Sequence, residues 1–467
     1  MANTEKTAGE LLQERLLMHP ENGGIILSDE ELEKAFAFCE GYKKFLDEAK
    51  TEREAVDLVV AMAEKAGYVP FDPKADYKAG DKVYLNNRGK ALLMCTFGTE
   101  PISKGVRIVV SHLDNPRLDL KPNPLYEEAQ LGYLKTHYYG GIKKYQWGAI
   151  PLALHGVIVK KNGETVRVSI GEDENDPIFC VTDLLPHLAR EQMKRTLNEG
   201  LRGEELNVLI GCHPFRDDKA SEKVKLNLIR LLNEKYGIVE ADFLSAELCV
   251  VPAFKARDLG LDRAMIGAYG HDDRVCAYTS LMAELEQKTP SHTTVLALAD
   301  KEETGSEGNT GLDSRYLEDF VKDLAAMQGE TGRAVLAAST CLSADVNAAY
   351  DPTFGDVCER RNTSYLNYGV VITKYTGSGG KYGTSDATAE YMASVRRLLD
   401  EGGVVWQTGE LGKVDAGGGG TVAKYIAKLN VDVVDVGVPV LSMHAPLEVV
   451  SKVDVYMTYR AFSEFIK

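Results

Sequence analysis

The chain is short of several things, and each shortage removes a class of protein. No stretch approaches the roughly 20 consecutive apolar residues that cross a bilayer. No basic start followed by an apolar run opens the sequence, so no signal peptide is expected. Basic residues are outnumbered, 54 Lys and Arg against 70 Asp and Glu, for a formal net charge of −16. A nucleic-acid binder normally carries a basic face, and an anionic membrane surface would repel this chain. Paired cysteines are also missing. The eight cysteines, at 39, 95, 180, 212, 249, 276, 341 and 358, are scattered without a CxxC. They read as reduced thiols of a cytoplasmic protein and argue against a thiolate zinc site. There is no internal repeat and no low-complexity segment.

What is present suits a chain with a large folded core. Hydrophobic residues are 44% of 467 and charged residues 27%. That length favours two domains. Ser28–Glu31 and Thr51–Glu54 have the form of capping boxes and open two helices. Val83–Leu85 and Ala91–Thr96 flank Asn87-Arg88-Gly89 as a hairpin. The apolar runs Val106–Val110 and Val295–Ala299 suit strands buried on both faces of an α/β sheet. Helices are expected at Met282–Glu286, Tyr316–Ala326 and Ala387–Asp400, and from Thr421 after the Gly417–Gly420 loop. Further strands are expected near Tyr368–Tyr375, Val433–Val436 and Val438–Leu441. Between Lys121 and Val250 the texture changes to prolines, a Gly140-Gly141 pair, strands at Gly156–Val159 and Val166–Ile170, and a charged, mobile-looking tract at Asp217–Lys225. That stretch reads as a second domain inserted into the first.

Five places set His, Asp or Glu at or near the end of an apolar segment, where open α/β sheets build their sites. They are His112-Leu113-Asp114 after the first run, and Asp272-Asp273. Glu302-Glu303 before a Thr-Gly-Ser turn follows. Asp345 comes after the apolar Ala334–Ala338 segment, and His444 after Val438–Leu441. Taken singly, each reads at least as well as a solvated loop or a hydrogen-bonded histidine. Together, His112, Asp272, Glu302, Glu303, Asp345 and His444 supply imidazoles and carboxylates for two zinc-class ions that share one carboxylate. A donor set without thiolates keeps such ions Lewis-acidic. Of two adjacent glutamates, one can ligate while the other accepts a proton.

The order of these motifs resembles that of the aspartyl aminopeptidase family of metallo-aminopeptidases, over nearly the whole chain. Ser111–Pro116 (SHLDNP), the Glu-Glu-Thr-Gly-Ser turn, Ser343–Asp345 (SAD) and Ser442–Glu448 (SMHAPLE) carry the resemblance. It implies a zinc-exopeptidase-type α/β/α catalytic domain, residues 1–120 and 251–467, interrupted by a β-rich oligomerisation domain at 121–250. It implies His112, Asp272, Glu303, Asp345 and His444 as ligands of two divalent ions, zinc before cobalt or manganese. Asp272 would bridge them, Glu302 would be the general base and Asp114 would orient His112. Peptides with a free N-terminus would be the substrates, and a tetrahedral homo-dodecamer the assembly. Asp273 departs from the family's usual Asn, and Lys301 from a common His. The insert's Gly-rich stretch, Tyr139–Trp147, lacks the histidine the family carries into a neighbouring active site, leaving His137, Lys144 or Tyr145 as substitutes. Lys374, Lys381 and Tyr382, in and beside the Thr376–Thr384 loop, are candidates for holding the substrate's first side chain, against the alternative of a flexible loop with solvated lysines. Two alternatives stand beside this reading: a carboxypeptidase or amide deacylase with the same ligands, and a catalytically dead scaffold.

Overall fold

The structure, a computed structural model, describes residues 6–467. Its centre is a sheet of nine strands. In the middle, Thr294–Ala299, Arg107–His112, Thr340–Ser343 and Asp432–Gly437 run parallel. The hairpin Lys82–Asn87 and Ala91–Thr96 extends one side, and Val370–Thr373 with Trp406–Thr408 the other.

Side chains of successive strand residues point to opposite faces, and here both faces are dry. Val109, Leu296, Leu298, Leu342, Val434 and Val436 join one core. That core takes in Asp29–Glu48, Glu52–Lys65, His271–Glu286, Ala389–Glu401 and Lys452–Phe465, all helices. Ile108, Val110, Val295, Ala297, Cys341 and Val433 join the other, under the helices Tyr316–Met327, Gly332–Ala338 and Ala423–Ala427. This double burial is why the strands read as largely apolar runs rather than alternating ones.

The helices at Asp29 and Glu52 start from the capping boxes of Ser28 and Thr51. Three local expectations are corrected. Ala334–Ala338 lies in a helix, and the strand before Asp345 is Thr340–Ser343. A short apolar run carries too little periodicity to separate the two. The charged tract at 217–225 runs into a helix, Lys223–Tyr236. Thr421 precedes a helix of only Ala423–Ala427.

A second sheet of seven antiparallel strands begins at Arg117–Glu128 and ends at Ala246–Pro252. Those two strands pair, with Cys249 opposite Asp119 and Val250 opposite Leu118. The chain therefore enters and leaves this sheet side by side. Leu228, Ile229 and Leu232 of the Lys223–Tyr236 helix cover its core. A third, five-stranded sheet holds Met265–Ala268, Glu448–Ser451 and Pro439–Leu441 next to one another. Among the described residues no helix is long and apolar enough to cross a membrane.

Candidate metal centre

The nine-stranded and five-stranded sheets meet where the candidate residues collect. His112 ends the strand Arg107–His112, while Glu302 and Glu303 follow Thr294–Ala299 after a left-handed Lys301. Asp345 lies two residues beyond Thr340–Ser343. All four stand at the carboxyl ends of parallel strands, where the helices diverge and leave a crevice. The backbones are tight here: a Cβ on Gly437 would strike the carbonyl oxygen of Asp345. The small sheet supplies the remainder. Asp272 follows Met265–Ala268, and His444 sits in the turn between Pro439–Leu441 and Glu448–Ser451.

The two oxygens of Asp272 face different imidazoles. Oδ1 is 3.2 Å from His112 Nε2, and Oδ2 is 3.0 Å from His444 Nε2. Glu303 Oε2 is 3.6 Å from His444 Nε2. Asp345 Oδ1 and Glu302 Oε2 are 4.0 and 3.9 Å from His112 Nε2. Ligand atoms close enough to hold an ion fall into two groups, His112 with Asp273 and Asp345, and Asp272 with Glu303 and His444. His112 Nε2, Glu303 Oε1 and Asp273 Oδ1 are buried without a hydrogen-bond partner; the contact from Nε2 to Asp272 is close but lacks hydrogen-bond geometry. Buried polar atoms normally have partners. Orphaned nitrogen and oxygen donors converging from two sheets fit zinc-class ions.

The charges agree. Burial, reinforced by Asp272, pushes the Glu303 carboxyl well above the usual range. Burial and Glu302 do the same to Asp345. Burial, with Asp272 and Asp114 nearby, lifts Glu302 to about 7. Burial opposes a charge on His444, yet Asp272 and Glu303 raise it to about 10. Carboxylates crowded in a dry crevice repel one another until a cation joins them.

The neighbours orient these groups. His112 Nδ1 lies 3.0 Å from the Asp114 carbonyl oxygen and 3.3 Å from its carboxylate, leaving Nε2 toward Asp272. The Asp114 carboxylate also accepts the backbone N–H of Glu302 at 3.1 Å and of Glu303 at 3.2 Å. Such outer partners fix a ligand's tautomer and direction.

Sequence reasoning missed two participants. Asp273, passed over as a mild departure from Asn, is fully buried in the cluster and accepts the His112 backbone N–H at 3.3 Å. Glu448 joins both halves of the small-sheet contribution, accepting the N–H of Asp272 at 3.0 Å and of His444 at 2.6 Å. Its position at the end of SMHAPLE was the available signal.

The residues expected to hold substrate lie outside the ligand cluster. Lys374 and Lys381 both pair with Asp386, so neither is a free cation. Tyr382 is 77% exposed. The Lys381 loop forms, with Glu410, Gly412 and Gly417, one wall of a cleft of about 370 Å³. His137 is exposed on the second sheet, its Nδ1 on the Tyr138 carbonyl, and Lys144 is held by Asn198.

The chain is similar to known proteins throughout. Residues 45–466 match the family model described as aminopeptidase I zinc metalloprotease (M18). A probable M18 family aminopeptidase 1 from Clostridium acetobutylicum is 50% identical over 97% of this chain and 99% of its own length. The crystal structure of an M18 aminopeptidase from Thermotoga maritima superposes with a TM-score of 0.92, at 44% identity, covering 96% of this chain and 99% of that one. The S. cerevisiae mApe1, solved as a dodecamer, shares the fold at a TM-score of 0.75 and 21% identity, over 93% of this chain and 97% of that one.

Proposed function

This chain belongs to the M18 family of zinc metalloprotease aminopeptidases, and on that premise we propose that it removes N-terminal residues from peptides at a two-ion site with Glu302 as general base. The carrying observation is Asp272, whose two oxygens each face one histidine. His112 and Asp345 would hold one ion and His444 and Glu303 the other, with Asp272 placed between the two histidines to serve both. Asp273 holds the His112 backbone from beneath.

When bound, the ions supply Lewis acidity to the scissile carbonyl and acidify water. The protein's own groups do the rest. Glu302 takes a proton from the attacking water and returns it to the leaving amine. Its carboxyl, buried beside the proposed ligands and raised in the ion-free crevice by that burial, stands where a proton acceptor for water at the ions would be needed. Asp114 fixes the Glu302 backbone through its N–H, so the carboxylate starts each cycle from one position.

The expected preference is for neutral rather than acidic first residues. Asp386 already pairs with both Lys374 and Lys381, and a substrate carboxylate would have to compete with it for them. A panel of aminoacyl arylamides, with free and acetylated amines, tests this on protein stripped and reloaded with zinc, cobalt or manganese. Metal-dependent release from free amines, with leucyl or alanyl above aspartyl, is expected. Cleavage of acetylated substrates alone would install the deacylase alternative, and an aspartyl preference would return the lysines to the pocket.

The insert, residues 121–250, is proposed as the oligomerisation domain. Ile178, Leu184, Leu185, Leu188, Met193 and Leu197 are all exposed on it, and a cluster of this kind marks an association surface. A homo-dodecamer of tetrahedral form is the expected assembly, as the yeast fold relative is a dodecamer. Sedimentation as a 51.2 kDa monomer at micromolar concentration would remove it.

A further inference from the structure

One short segment of the inserted sheet reaches both histidines of the proposed centre. Tyr139 ends the strand Leu131–Tyr139, opposite Arg117. The Arg117 guanidinium lies over its ring at 4.3 Å and is itself tied to Glu52 and Asp119, each at 2.7 Å. That clamp aims the phenol: its hydroxyl donates to Asp114 Oδ2 at 2.7 Å. Asp114 is the carboxylate beside His112 Nδ1 that also carries the Glu302 and Glu303 backbone. Two residues on, the Gly141 carbonyl accepts from His444 Nδ1 at 2.8 Å, leaving Nε2 for the ion side. Gly140, between them, has φ +75°, and a Cβ there would lie 3.1 Å from Glu303 Oε2. The glycine is thus required both by its backbone and by the approach to a ligand.

Resting on the two-ion reading, we propose that Tyr139–Gly141 is a positioning element through which the inserted domain sets the metal affinity of the catalytic one, with Tyr139 acting on the His112 side and Gly140-Gly141 on the His444 side. Tyr139 touches no reacting atom. Its hydroxyl satisfies one Asp114 oxygen and holds the carboxylate in the plane that meets His112, so the imidazole keeps its tautomer and direction. Without that donor Asp114 keeps the two backbone N–H groups and His112 but loses its shortest contact, the one from the inserted sheet, so the anchor shared by His112, Glu302 and Glu303 is loosened. Partners of this kind typically change metal affinity or activity by about 10- to 100-fold.

The test uses the full-length protein carrying Tyr139→Phe, which keeps the ring under Arg117 and removes only the hydroxyl. Zinc affinity is measured by competition with a chromophoric chelator, and the cobalt-loaded visible spectrum is recorded. Affinity for one of two ions is expected to fall about tenfold, with an altered cobalt spectrum, a lower kcat and an unchanged KM. The melting temperature of the metal-free protein should stay put. Tyr138→Phe, whose ring lies beside Lys144 and Gly203, serves as control and should match wild type. Gly140→Ala approaches from the other side and is expected to weaken the second ion. Unchanged zinc affinity and cobalt spectrum in both Tyr139→Phe and Gly140→Ala would overturn the proposal. Wild-type protein that takes up no pair of ions would sink the two-ion reading instead, so the two failures are separable.

Discussion

Glu302→Gln is expected to retain both ions and lose about three orders of magnitude in kcat, within the usual range for a general base. The substitution keeps size and the backbone N–H to Asp114, and removes only the capacity to take a proton. Its oxygen, 3.9 Å from His112 Nε2, falls in neither of the two groups of atoms close enough to share an ion, which is the position of a neighbour to the ligands. Metal content by elemental analysis and turnover on the preferred arylamide check the two halves independently. Near-normal turnover would move the base elsewhere; loss of an ion would make Glu302 a ligand.

Removing the ions should destabilise the protein much more at pH 8 than at pH 5. In the metal-free crevice Glu303 and Asp345 are pushed well up by burial and by their acidic neighbours, Glu302 to about 7 and Glu448 to about 8. A carboxyl whose folded-state value exceeds its unfolded value binds more protons folded than unfolded. Stability then declines as pH rises from the unfolded value near 4.5 through the folded one. His444, raised to about 10, works in the same direction: its contribution is full below its unfolded value and fades toward pH 10. Asp114 and Asp272 are lowered, so their contribution is lost only on acidification below their unfolded values, outside this window. Bound cations replace the protons and flatten the dependence. Two ions at saturating concentration correspond to a shift on the order of 10 °C in Tm at pH 8. Melting curves with and without chelator at both pH values decide it. Equal depression at pH 5 and pH 8 would mean that the acids are not in electrostatic conflict.

The parts legible in the sequence were those set by local rules. His112 and the Glu302-Glu303 pair could be placed because Val295–Ala299 is apolar throughout and Val106–Val110 is apolar but for Arg107, as double burial favours. Asp272 and His444 were legible only through motif order, since the small sheet that presents them consists of short strands with little periodicity. Asp273 and Glu448 were missed because their roles depend on backbone N–H groups of residues remote in sequence or beyond a turn. Lys374 and Lys381 read as free cations in the sequence and are both paired in the structure with Asp386, only five residues beyond Lys381. The helix Ala8–Leu16 was not anticipated although the Thr7–Glu10 capping box opens it, because it buries none of its residues.

The pairing of the first and last strands of the second sheet, in chain order, bears on how the chain folds. Leu118 and Val250 are neighbours across a ladder. Once that sheet has formed, the two flanking halves of the catalytic fold are joined by what amounts to a tight connection. The long-range pairing of Arg107–His112 with Thr294–Ala299 then no longer bears the closure entropy of the whole intervening chain. An order follows, with the second sheet first and the parallel strands afterwards. Refolding should therefore be slowed more by a core truncation at Val250 than by one of equal size on the outer helix Tyr316–Met327.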